Sequence, residues 1–127
     1  MNKNYLILLL TVVLNADIDV IVSEENSIKD ATKYELANVY LKKTNEIDGK
    51  KVTAVNNKES YNEFNQKVLN KTASQVHAYW MKQIFLGKKI PPKNIEQDEI
   101  KAQLISDPDS VVYSSKKLGK KVIYETK

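Results

Sequence analysis

The chain has 127 residues, 42% of them hydrophobic and 28% charged, which fits one soluble globular domain and excludes a largely disordered chain. The net charge is +4, yet every one of the 20 basic residues is lysine. Without arginine there is no planar fork for bidentate reading of phosphates or guanines, so nucleic acid is not an expected partner. With no cysteine, disulfides, thiolate metal sites and thiol nucleophiles are excluded.

Residues 1–16, MNKNYLILLLTVVLNA, carry a lysine near the start, an apolar run from Tyr5 to Leu14 and a small residue before Asp17. That is the layout of a secretory signal peptide cut after Ala16, and the run is too short to span a bilayer. The competing reading is a buried first strand or helix. Export would leave a mature domain of residues 17–127, and a cysteine-free exported chain suits a bacterial periplasm.

In the mature chain, DIDVIVSE (17–24) alternates around β-branched residues and predicts a strand. Thr32 and Glu35 form a capping box ahead of a helix with Leu36, Val39 and Tyr40 inward. Asp48-Gly49 predicts a tight turn, followed by a strand over 51–55. Ser60 and Glu63 repeat the capping pattern before Tyr61, Phe64, Val68 and Leu69, and Asn70-Lys71 interrupts that stripe. Thr72 and Gln75 open a longer helix to Leu86 with Val76, Tyr79, Trp80, Ile84 and Phe85 inward. Gly87 and Pro91-Pro92 end it. A further helix is expected from Asp98 to Ile105, with Ile100, Leu104 and Ile105 inward. Asp107-Pro108-Asp109-Ser110 reads as a turn, and 111–113 and 121–125 as strands. This order predicts an α/β domain, a small mixed sheet flanked by helices.

No catalytic constellation assembles from these residues. His77, the only histidine, sits on a predicted helix without a partnering nucleophile, the acids are dispersed, and neither an enzyme nor a cofactor is expected. One segment stands out, VNNKESYNEF (55–64), a strand running through a polar loop into a helix start. Helix starts present free N–H groups and a positive dipole end that hold small anions. Ser60 would supply a hydroxyl, and Tyr61 and Asn62 backbone amides.

The ordered motifs LANVYLKK (36–43), DGKKVTAV (48–55), SYNEFNQKVLNK (60–71), AYWMKQIFLGKKIPP (78–92) and DPDSVVY (107–113) resemble short, single-lobe relatives of the phosphate-binding component of bacterial phosphate ABC transporters. The resemblance implies a single periplasmic-binding-protein-like lobe of type II. It also implies an exported solute-binding function for phosphate or a similar small anion. It aligns the phosphate loop with Ser60-Tyr61-Asn62, where only the serine is kept, and puts Asn56 or Asn57 where an arginine is expected. Ser23, in a first-strand loop with Glu24 and Glu25, falls at another ligand-contacting position. Val112 stands for a glycine and Ile47 for a tryptophan. The implied partners are the anion, an ABC permease or another envelope protein, and a second copy of the chain to supply the missing wall. The alternative is an envelope protein-interaction module that kept the lobe and lost the ligand.

Overall fold

The computed structural model describes residues 17–126, so the expected leader lies outside the described residues. The strands are β1 (Asp19–Val22), β2 (Glu46–Ile47), β3 (Lys50–Lys51), β4 (Thr53–Asn57), β5 (Lys93–Ile95), β6 (Ser110–Ser114) and β7 (Lys121–Glu125). The helices are α1 (Lys33–Tyr40), α2 (Tyr61–Phe64), α3 (Ala73–Phe85) and α4 (Ile100–Ser106). Five strands form one sheet in the order β5-β4-β6-β1-β7, and β2 and β3 form a separate hairpin. The hairpin turns on Asp48 and Gly49, both at positive φ (53° and 74°), as a tight two-residue hairpin turn demands.

The sheet is mixed. β4 runs parallel to β5 and β6, whereas β1 runs antiparallel to β6 and β7. Both faces are covered. Ile18, Val20, Val22, Ala54, Val111 and Tyr113 pack with Leu36, Val39 and Tyr40 of α1 and with Phe64 and Val68. On the other face Ile21, Val55 and Val112 pack under Ile95, Ile100 and Leu104. This is why β1 is buried along its whole length although its sequence alternates.

The chain's connections explain how the helices divide. β4 leads through residues 58–85 to β5 on one flank, and β5 leads through α4 back to β6 on the other. Right-handed crossovers in opposite directions put their helices on opposite faces. The connections after β4 and β5 therefore diverge at the carboxyl ends of these two strands, the position where open α/β sheets leave a crevice.

Two of the three expected capping boxes form. Thr32 and Thr72 each accept from the N–H three residues on, and Glu35 and Gln75 return the bond. Ser60 does not cap. The helical segment starts earlier, as a 3₁₀ turn over Lys58–Ser60, and the side chain of Asn57 accepts from Glu59 N–H in its place. The segment runs on through a π-helical turn, Asn65–Leu69, and stops at Asn70 in the left-handed region (φ 56°). Three residues expected inward are exposed: Phe85 (89%), Ile105 (80%) and Ile84 (45%). Val76 and Trp80, one turn apart, are buried, whereas Met81, Ile84, Phe85 and Leu86 at the end of α3 are exposed. Ile100 and Leu104 share a face of α4, and Ile105 lies about 100° round the helix. Strand β5 has three residues, two of them exposed and polar, and carries no hydrophobic pattern of its own.

Candidate functional site

Asn57 and Ser60, from the segment that stands out in the sequence, meet other polar groups where β4 and β6 end. Registered pairing between these strands covers Thr53↔Ser110 and Ala54↔Val111. Above it, side chains bridge them. The Tyr40 hydroxyl lies 2.9 Å from the Val55 carbonyl and 2.8 Å from that of Val111. Asn57 Nδ2 donates to the Tyr113 carbonyl at 2.9 Å and to Gln97 Oε1 at 2.7 Å, while its Oδ1 accepts from Glu59 N–H. Gln97 Nε2 donates onward to Ser114 Oγ at 2.9 Å, which also accepts from Lys116 N–H. Asn57 is fully buried, and both of its amide N–H groups and its Oδ1 have partners, as a buried amide requires.

Ser60 is fully buried at the base of this network. With Asn57 capping the segment, its hydroxyl turns to the loop after β6. Ser60 Oγ accepts from Ser115 N–H at 3.2 Å and lies 3.3 Å from Ser115 Oγ. Hydroxyl–hydroxyl bonds are usually 2.5–3.0 Å long, so this pair is loosely held. Beneath it Phe64 stacks on Tyr113 with ring centroids 3.8 Å apart, and Tyr40 leans on both. Burial pushes the hydroxyls of Tyr40 and Tyr113 well above the usual phenol range, so both stay protonated donors.

The five sequence candidates divide as follows. Ser60 lies in the network. Asn56 lies beside it, but its Oδ1 accepts from the Tyr113 hydroxyl at 2.7 Å, a scaffolding bond. Tyr61 and Asn62 lie past the 3₁₀ turn, so the segment's first amides belong to residues 58–60, and that of Glu59 is already taken by Asn57 Oδ1. Ser23 is not brought to the network. β1 runs antiparallel to β6 with Val22 opposite Val111, so the loop after β1 lies at the other end of the sheet. There Ser23 Oγ accepts from Glu25 N–H and turns its own loop. Sequence reasoning missed Gln97, Ser114 and Ser115. The Ser114-Ser115 pair directly after Val111-Val112-Tyr113 is the signal that could have found them.

Charges around the network cancel or lean negative. Lys58 pairs with Glu96 at 3.1 Å, Lys116 with Glu59 at 3.2 Å, and Lys117 with both Asp19 and Glu125. Hydrogen bonds from Lys117 to Glu125 and Asp19 raise the pKa of its amine and pin the loop after β6 to the sheet. The site therefore offers neutral hydroxyls and amides, and no base adjoins a serine to make it a nucleophile.

No protein-family model and no curated protein sequence matches the chain. Among solved structures, it is similar to a phosphate ABC transporter substrate-binding protein from Clostridium perfringens, solved with bound phosphate. The TM-score is 0.56 at 15% sequence identity. The match covers 77% of this chain and 40% of that one, so the chain spans less than half the neighbour's length. That neighbour is a binding protein rather than an enzyme. A five-stranded mixed sheet with helices on both faces is what the two share, and the fold of this chain is periplasmic-binding-protein-like.

Proposed function

We propose that this chain is an exported solute-binding-type lobe that takes phosphate or a similar small anion at the carboxyl ends of β4 and β6. The observation that carries this reading is the buried Ser60 hydroxyl, released from helix capping and held loosely against Ser115. An anion oxygen entering between them would replace two long bonds with shorter, charge-assisted ones. Ser60 donates its hydroxyl, and Ser115 its N–H and hydroxyl. Asn57, Gln97 and Ser114 hold the two loops in register. The likeness in fold to a protein solved with phosphate supports the reading.

With no net positive charge nearby, affinity rests on hydrogen bonds and varies little with salt. Isothermal titration of the full chain with phosphate, arsenate and sulfate tests it. Heat of binding for phosphate that is lost in Ser60→Ala is expected. No heat with any of the three anions rejects the reading.

One observation favours a second reading, an envelope protein-interaction module without a ligand. Met81, Ile84, Phe85, Leu86 and Ile90 leave a cluster of apolar side chains exposed at the end of α3. On this reading the face pairs with a second copy of the chain. Sedimentation velocity would then show a dimer that Phe85→Ser dissociates, and a monomer at every concentration would dismiss it.

A further inference from the structure

The opposite end of the sheet has the reverse electrostatics. A groove of about 930 Å³ lies at the amino ends of β4 and β5. Lys42, Lys43, Lys88, Lys89 and Lys93 line it, against the single carboxylate of Asp107. Among the described residues none of these five amines has a carboxylate within 4.0 Å, whereas Lys58, Lys116 and Lys117 at the other end are all paired.

Two helix ends build this concentration. α1 finishes with Lys42 N–H bonded to the Val39 carbonyl and Lys43 N–H to that of Asn38. α3 finishes with Gly87 N–H bonded to the Ile84 carbonyl and Lys88 N–H to that of Gln83. Both are Schellman endings, and each releases a lysine pair into the same groove. The left-handed residue in the second is Gly87, but in the first it is Lys42, at φ 55°. Glycine holds that conformation without strain, so the lysine is kept at a conformational cost.

The walls are clamped together. The Tyr79 hydroxyl donates to the Leu41 carbonyl at 2.7 Å. Lys89 Nζ donates to the Lys42 carbonyl at 2.9 Å and lies 5.8 Å from the Tyr79 ring. Pro91 and Pro92 form a stiff rim. The groove is thus preformed and of small-molecule size. Each helix C-terminus contributes about half a negative charge, too little to cancel five lysines against one aspartate. With neither arginine nor an aromatic ring among the lining residues, single-stranded nucleic acid finds no stacking platform here.

We infer that this groove is a second ligand site, taking a small polyanion such as an oligophosphate, separate from the Ser60 cluster and independent of its function. Several amines in one pocket, each compact and strongly charged, match a ligand with several anionic groups better than one carrying a single phosphate.

Inorganic tripolyphosphate is the probe, titrated into the full chain by calorimetry at low and at raised salt. Binding is expected to weaken steeply with salt. The triple variant Lys43→Gln, Lys88→Gln, Lys93→Gln is expected to lose at least about tenfold in affinity. These three side chains are exposed, so the variant keeps the fold, which its circular dichroism checks. Ser60→Ala and a control triple, Lys29→Gln, Lys33→Gln, Lys101→Gln, are expected to bind like the wild type. Equal loss in the control triple would reduce the effect to general surface charge and overturn the inference. Loss in Ser60→Ala would move the ligand to the other end of the sheet and overturn it too, as would the absence of binding at low salt.

Discussion

Ser60 and Lys42 are two residues whose placement departs from what their local sequence favours. Ser60 stands where a cap is expected, yet bonds across to Ser115. Ser60→Ala would leave the half-buried Ser115 N–H without its acceptor, so a stability loss of about 1 kcal/mol by urea unfolding is expected, together with loss of anion binding. Lys42 holds φ 55° at a helix end. Lys42→Gly should raise stability by about 0.5–1 kcal/mol in the same assay while weakening tripolyphosphate binding. Tyr40 gives a pH prediction. Its folded pKa lies above that of the unfolded chain, about 10, so the unfolded state releases its proton first as pH rises. Its contribution is complete below pH 10 and is lost above it, and Tyr113 and Lys117 act in the same direction. Melting temperature should therefore fall as pH rises above about 10. Tyr40→Phe should cost about 1–3 kcal/mol at pH 7, because the one buried O–H shared between the Val55 and Val111 carbonyls is lost, and should flatten that alkaline slope.

Among the elements, those read correctly from sequence are the ones whose signals are local. The boxes at Thr32 and Thr72 form because each needs only residues three apart. Thr72→Ala should destabilise by about 1 kcal/mol, read as a lower urea midpoint at unchanged slope. The same spacing at Ser60 and Glu63 misleads, because Asn57 starts the segment three residues earlier. What the sequence could not convey was non-local. The direction of β1 depends on pairing with β6, some 90 residues away, and it decides that Ser23 and Ser60 lie at opposite ends of the sheet. β5 exists because β4 offers it an edge, not because Lys93–Ile95 favours a strand. The apolar pattern of α3 carries on past its last buried residue, Trp80, leaving Phe85 in solvent.

For the whole molecule, the α/β class and the mixed sheet were legible, and the Clostridium perfringens structure is similar in fold. Of the residues that meet at the candidate site, Ser60 could be picked out from the sequence, but the loop after β6 could not, because only folding brings it there. The two ends of the sheet differ in charge, paired at the carboxyl end of β4 and unbalanced at the amino end. Anion binding should therefore separate by salt dependence, weak for phosphate at Ser60 and strong for tripolyphosphate at the lysine groove.

The most direct test of the central claim is thermal unfolding of the full chain with phosphate, against sulfate and chloride at matched ionic strength. Ligand at about 100 times its dissociation constant adds roughly 2.7 kcal/mol, on the order of ten degrees for a domain near this size. We predict a phosphate-selective rise of several degrees, absent in Ser60→Ala and kept in the groove triple variant. An equal rise with all three anions, or a phosphate response that Ser60→Ala leaves intact, would contradict binding at the carboxyl ends of β4 and β6.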